Sequence, residues 1–228
     1  MMRLFTSLCF GLVAAAILAL PARAESSDDE LKLYAVHIFR TGNVKPSGFG
    51  VYLGRGVVLT AAHVAGLGIW REPKVEIAGQ MLPTTILKDG HFYRQDLELL
   101  AVDVTKLPVN LGLRRMPVCQ GPLQPLQPVV VATPENAVRS RVLPPEALAR
   151  IVAPEYRTAI AFVPESGASG SGVFDANKKC LLGIVARIIG GQRVITKDGQ
   201  TTREPINIAK YFVPAAEIGA FIPKTVRF

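Results

Sequence analysis

Short apolar runs, each closed off by turn-forming residues, recur from residue 31 to residue 213 and leave little chain for helices. Residues 31–40, 49–53, 57–60, 75–78, 81–87, 97–102, 127–133, 159–163, 173–174, 181–189 and 211–213 have the length and β-branched content of strands. Pro46-Ser47-Gly48 and Gly54-Arg55-Gly56 supply tight turns between consecutive runs. This spacing predicts an all-β protein, a sandwich or a barrel. Two stretches break the pattern. Residues 144–151 are expected to hold a short helix, and residues 214–221 a terminal one whose Ile218 and Phe221 dock on the β core at i, i+3 spacing. Residues 25–30 are polar and expected to fray. Residues 197–203 read as an exposed hairpin or loop.

The first residues stand apart from that core. Met1-Met2-Arg3 is a short basic start, residues 4–20 are mostly apolar, and Pro21-Ala22-Arg23-Ala24 ends in a small-x-small pattern. This is the grammar of a secretory signal peptide cut after Ala24, with an uncleaved anchor as the competing reading. The mature chain, 25–228, is then expected outside the cytoplasm, secreted or periplasmic, without stable membrane insertion. Of 26 Lys and Arg, Arg3 and Arg23 leave with the signal, so 24 face 18 Asp and Glu, a balance of +6. The basic residues are scattered, with pairs such as Arg114-Arg115 at most, so they read as solubility charge and imply no nucleic-acid partner. Cys119 and Cys180 remain once Cys9 is removed. An even pair in an oxidising compartment predicts one disulfide, two separate buried thiols being the alternative. No cysteine or histidine follows zinc-ligand spacing, and neither metal nor cofactor is expected.

Chemistry concentrates in residues 166–174, Ser-Gly-Ala-Ser-Gly-Ser-Gly-Val-Phe, boxed between two apolar runs. Glycines at this density make a tight loop whose amide N–H groups can converge on one point. Ser169 at its centre, beside the N–H groups of Gly167 and Ser169, offers a nucleophile next to an oxyanion cradle. Acyl transfer also needs a base and a carboxylate to orient it. Of the three histidines, His37 lies mid-strand and His91 in a polar loop. His63 follows Thr60-Ala61-Ala62 at a strand end, where small neighbours leave an imidazole facing open space. Asp96 enters the apolar run 97–102 and is the preferred orienter; Asp89, in a turn, and Asp103, at the far strand end, are its rivals. The order His63, Asp96, Ser169 excludes the α/β-hydrolases, which run serine, acid, histidine and require Gly where Ser171 stands, and the subtilisin type, which begins with the acid.

Thr60-Ala61-Ala62-His63, Asp96-Leu97-Glu98-Leu99-Leu100 and Gly167-Ala168-Ser169-Gly170-Ser171-Gly172 resemble the three motifs of chymotrypsin-fold (trypsin-like) serine proteases. Their spacing is similar to the protease domains of bacterial Deg-type enzymes, and the Ser-Gly-Ser form of the last to secreted glutamyl endopeptidases. The resemblance spans roughly residues 33–221. It implies two six-stranded antiparallel β-barrels, roughly 31–120 and 121–228, with a short C-terminal helix. It implies a serine endopeptidase acting on protein or peptide substrates, with His63 as base, Asp96 as orienter, Ser169 as nucleophile, and Gly167 and Ser169 as oxyanion donors. It also implies that Val163 and Pro164 approach the floor of the primary pocket, while Ala186-Arg187-Ile188 form the edge where substrate adds as a strand. With no acid at Val163, a small to medium apolar residue is expected before the cut; capture of an acidic side chain by Arg187 is the alternative. Ala168, directly before the nucleophile, lacks the carboxylate that pairs with a new N-terminus in digestive relatives, so that route of activation is not expected. A homologue that binds extended peptides without cleaving them, and an esterase on the same fold, are the other functions this pattern allows.

Overall fold

The computed structural model describes residues 28–68, 71–148, 156, 158–161, 169–197 and 200–228. The signal-peptide residues, together with Val163, Pro164 and Gly167, lie outside them. The described chain is mostly β, arranged as two antiparallel sheets. The first is built from β1 (Ala35–Phe39), β2 (Gly48–Gly54), β3 (Val57–Thr60), β4 (Lys74–Ile77), β5 (Gln80–Pro83), β6 (Thr85–Asp89) and β7 (Glu98–Ala101), in the order β5-β4-β1-β2-β3-β7-β6. The second holds β8 (Pro128–Ala132), β9 (Ala137–Arg141), β10 (Ala159–Ala161), β11 (Gly172–Asp175), β12 (Leu181–Lys197) and β13 (Gln200–Pro214), in the order β10-β13-β12-β11-β8-β9.

Both sheets curl onto themselves. Strands β5 and β6 sit at opposite edges of the first sheet yet are separated only by Thr84, so this bent stretch pairs with β4 at one end and β7 at the other. Thr84 steps out of the ladder and its hydroxyl donates to the Pro73 carbonyl at 2.6 Å. That interruption divides the run expected over 81–87 and gives the first sheet seven strands where six were expected. In the second sheet, a bridge between Val142 and Ile160 and a Ser140 hydroxyl bond to the Ala161 carbonyl join the β9 and β10 edges.

The central strands are covered on both faces, so burial does not alternate along them and the successive residues Leu99 and Leu100 are both sealed. Tyr52, Leu59, Leu99 and Leu100 are sealed inside the first sheet, and Phe174 and Phe212 inside the second. Each such side chain contributes about 1.5–3 kcal/mol relative to exposure. The terminal helix (Ala215–Phe221) buries Ile218 and Phe221, as their spacing predicted. It follows the second sheet but docks on the first: Lys88 Nζ donates to the Phe221 carbonyl at 2.7 Å and lies 4.8 Å from its ring centroid. Cys119 and Cys180 form a disulfide with Cα atoms 5.1 Å apart, beside the parallel bridge Val118–Leu181.

Three local expectations need correction. Residues 29–34 form a 3₁₀ turn, and the strand expected over 31–40 is confined to Ala35–Phe39. Asp28 is not frayed but buried, with Lys179 and Arg139 each at 2.6 Å from its carboxylate; burial is the largest single influence and raises its pKa, but the two cations together outweigh it and hold the pKa below the usual carboxylate value. The run expected over 181–189 continues to Lys197, pairing with β13 through Gly190 and Gly191 by way of a bulge. The helix expected over 144–151 is represented by Pro145–Leu148. Among the described residues, no helix is long and apolar enough to cross a membrane, and no group of three or more His, Cys, Asp or Glu could hold a metal ion.

Candidate active site

Strand β3 ends at Thr60, and the chain turns at once into a single helical turn, Ala62–Ala65. Alanines at 61, 62 and 65, all buried, let this turn lie against the sheet. Arg40 fixes its far end, its guanidinium donating to the carbonyls of His63 at 2.5 Å and Val64 at 3.3 Å. The orphan carbonyls of a short helix are thereby satisfied from β1's side. His63 projects from this turn half-exposed, so one side of its ring faces protein and the other the cleft.

Asp96 meets that ring from the loop before β7. Residues His91–Gln95 form one wide helical turn, and Asp96 ends it in the left-handed region at φ 48°. Aspartate tolerates this conformation better than most residues. The result is a carboxylate only 4 % exposed that holds His63 at two points. Oδ1 accepts the His63 backbone N–H at 3.0 Å, and Oδ2 lies 2.9 Å from His63 Nδ1. The backbone is tied back as well, Ala62 N–H donating to the Asp96 carbonyl at 3.2 Å. With Nδ1 protonated and donating to Asp96, Nε2 keeps its lone pair directed away from the carboxylate, the tautomer a general base requires.

The rival carboxylates are engaged elsewhere. Asp89 binds Arg71 at 2.7 Å and caps the His91 N–H; Asp103 accepts from Thr105. His37 lies between Glu76 and Glu135, and His91 is an exposed partner of Asp89. Beside Asp96, Glu98 is wholly buried and paired with Arg71 at 2.8 Å; burial pushes its carboxyl up to about 7 despite the arginine.

Ser169 enters from the second sheet. Its carbonyl accepts the Phe49 N–H at 3.0 Å, and the Gly170 N–H donates to Val185 at 2.7 Å, so the serine turn is bonded to both sheets. Two glycines make the approach possible. Gly170 adopts φ +84°, and a β-carbon there would stand 1.9 Å from the Phe49 carbonyl oxygen. A β-carbon on Gly48 would lie 2.7 Å from the Ser169 carbonyl oxygen and 2.8 Å from Val64 Cγ1, so the serine turn and the histidine turn converge on one small residue. Ser171 is buried, and its hydroxyl has no hydrogen-bond partner among the described residues.

Comparison with solved structures decides the architecture. The active form of the Rv3671c protease from M. tuberculosis superposes with TM-score 0.57 at 17 % identity, covering 97 % of this chain and 92 % of that one. Kallikrein-related peptidase 10 in complex with Zn²⁺ gives 0.59 at 20 % identity, over 86 % and 96 %. The MamO protease domain from Magnetospirillum magneticum gives 0.55 at 19 %, over 85 % and 98 %. This is the chymotrypsin fold. No protein-family model matches the sequence, and no curated protein does.

Within the chymotrypsin fold, the edge expected to receive substrate is partly open. Strand β11 pairs with β12 as far as Ile184, Val185 is still bonded to Gly170 and Ser171, and from Ala186 onward β12 has β13 on one side alone among the described residues. Ala186 is buried, Arg187 half-buried and Ile188 49 % exposed. Arg187 does not extend freely into the cleft: its guanidinium carbon lies 4.6 Å from the Phe92 ring centroid and 5.1 Å from that of Tyr156. Phe92 in turn meets the His63 ring edge-on at 5.7 Å. Neither aromatic, nor Arg40, stood out in the sequence. The one available signal was Phe92-Tyr93, two adjacent aromatics in a polar segment just ahead of Asp96.

Proposed function

We propose that this chain is a serine endopeptidase, exported from the cytoplasm, which cleaves peptide bonds through an acyl-enzyme. The observation that carries the reading is the two-point grip of Asp96 on His63, at Nδ1 and at the backbone N–H. A buried carboxylate restraining an imidazole in this way fixes one tautomer and stabilises the imidazolium that forms when the base takes a proton.

In this mechanism His63 Nε2 accepts the Ser169 hydroxyl proton as Oγ attacks the substrate carbonyl. The N–H groups of Gly167 and Ser169 stabilise the oxyanion. The tetrahedral adduct collapses with His63 returning the proton to the leaving amine. Water, deprotonated by the same imidazole, then releases the acyl group and restores the serine. Asp96 orients the imidazole throughout. Val163 and Pro164 would form the floor of the pocket for the residue before the cut, and the edge from Ala186 to Ile188 would bind the peptide backbone as an added strand. The disulfide and the secretory grammar of residues 1–24 both favour an oxidising compartment.

The test is covalent labelling by a fluorophosphonate, together with casein cleavage. Labelling of the wild-type protein at Ser169, lost in Ser169→Ala and suppressed in His63→Ala, is the expected result. Casein hydrolysis that survives either substitution would refute the mechanism. Labelling without any peptide cleavage would favour an esterase, and the absence of both would favour a peptide-binding homologue.

A further inference from the structure

We propose that Arg187 is a recognition site for an acidic side chain of the substrate, carried by the residue next but one before the bond cleaved. This rests on the proposed peptide cleavage and adds a substrate class to it. The argument begins with backbone register. A peptide added antiparallel to the free edge of β12 directs alternate side chains to opposite sides. The residue at the cleaved bond turns toward the pocket beside Ser169. The one before it therefore turns toward the wall made by the first sheet, where His63 and Phe92 stand.

Arg187 is held against that wall. A register shift between Val185 and Arg187 turns the side chain out of the regular β12 ladder. Its guanidinium lies against two rings, Phe92, from the turn ahead of Asp96, and Tyr156, whose own ring is braced edge-on at 5.2 Å by Tyr211. One N–H reaches the Phe92 carbonyl at 3.4 Å. Of its N–H donors, that one alone is hydrogen-bonded among the described residues, which leaves the rest of the guanidinium rim for a ligand. That rim matches a carboxylate, which takes two parallel hydrogen bonds from it. Contact with the two rings and the Phe92 carbonyl restrains the rotamer beforehand, so less side-chain entropy is lost on binding.

The charge is also uncommitted. Asp96 is taken by His63, and Asp89 and Glu98 by Arg71. No acidic side chain among the described residues pairs with Arg187. Since the cation is held on the histidine side of the cleft, it serves this neighbouring position and not the residue at the cut itself.

The experiment uses the mature protein and peptides identical except at that position, which carries Glu, Gln or Lys. The wild-type protein is expected to cleave the Glu peptide with kcat/KM about tenfold or more above the Gln peptide, the scale of a charge-assisted bidentate contact. The ratio should shrink as salt is raised, fall toward one in Arg187→Met, and fall to a few-fold in Arg187→Lys, which keeps the charge but not the fork. A second arm measures binding of the same peptides to Ser169→Ala by fluorescence anisotropy, with and without Arg187→Met. A wild-type ratio near one, or a ratio that persists in Arg187→Met, overturns the proposal while leaving the peptidase reading intact. Selective binding of the Glu peptide without cleavage by the wild type upholds the acid site and refutes the peptidase reading. Neither cleavage nor selective binding refutes both.

Discussion

Replacing Gly170 with alanine separates the geometry of the serine turn from the stability of the fold. The added β-carbon would stand 1.9 Å from the Phe49 carbonyl oxygen and 2.7 Å from Thr60 Oγ1, at a residue with φ +84°. Contact with the carbonyl becomes tolerable only near 3.0 Å, so the turn must move by about 1 Å. Neither neighbour can yield easily. The Phe49 carbonyl also accepts the Thr60 hydroxyl at 2.5 Å, and the Phe49 N–H is committed to the Ser169 carbonyl. The shift therefore falls on Ser169 itself. The left-handed conformation costs roughly 1–2 kcal/mol for a residue with a side chain, and forced overpacking adds about 1–3 kcal/mol. A 1 Å displacement of a reacting group costs on the order of 100-fold in rate. The expected result for Gly170→Ala is a folded protein with a lowered melting temperature and fluorophosphonate labelling slowed about 100-fold, measured well below the transition and normalised to the folded fraction by circular dichroism. Labelling within threefold of wild type in a variant whose melting temperature has fallen would refute the claim that this glycine aims the nucleophile.

Three further outcomes follow from other contacts. Asp96→Asn can still accept the His63 backbone N–H, but its amide faces Nδ1 and favours the wrong tautomer; peptide cleavage should fall about 10⁴-fold with little change in thermal stability, a comparison of kcat with melting temperature. Glu98 carries a folded-state pKa raised to about 7, so the stability it contributes is fully present below its unfolded value of 4.5 and is lost as pH rises through 7. Wild-type stability relative to Glu98→Gln should decline by roughly 3 kcal/mol across that window in urea titrations at successive pH values, and a flat difference would refute the assignment. Removing the Cys119–Cys180 bridge, with both cysteines changed to alanine, releases a loop of sequence separation 61 and should cost about 4 kcal/mol, a fall in melting temperature of roughly 8–16 °C for a chain of this size.

The parts of the site that could be read from sequence are those whose determinants are local. His63 and Asp96 each adjoin an apolar strand, and small residues beside the histidine announce an open face. The glycines around Ser169 likewise state their backbone requirement directly, as the positive φ at Gly170 bears out. What escaped reading depends on partners far along the chain. Asp28 looked like part of a frayed end because Arg139 and Lys179, which bury it, lie 111 and 151 residues away. Arg40 is an unremarkable strand-end cation until the fold brings the His63 and Val64 carbonyls to it. Arg187 was legible as an edge residue, but its two aromatic neighbours come from distant segments, one ahead of β7 and one ahead of β10. The strand read over 181–189 stops just short of the Gly190-Gly191 pair. Those glycines sit where the ladder shifts register and then resumes, so the strand runs on past residue 189.

That prolonged ribbon has a consequence for how the molecule breathes. Up to Ile189 most of its residues are buried, Arg187 and Ile188 excepted; beyond, only Gly191, Ile195, Ile206 and Ile208 among the described residues are partly covered, and the rest lie open to water. Its backbone pairs can separate without disturbing a single sealed side chain of either sheet. In deuterium uptake, amides 190–197 and 200–207 should exchange together as one early unit, well before those of β3, β7 or β11.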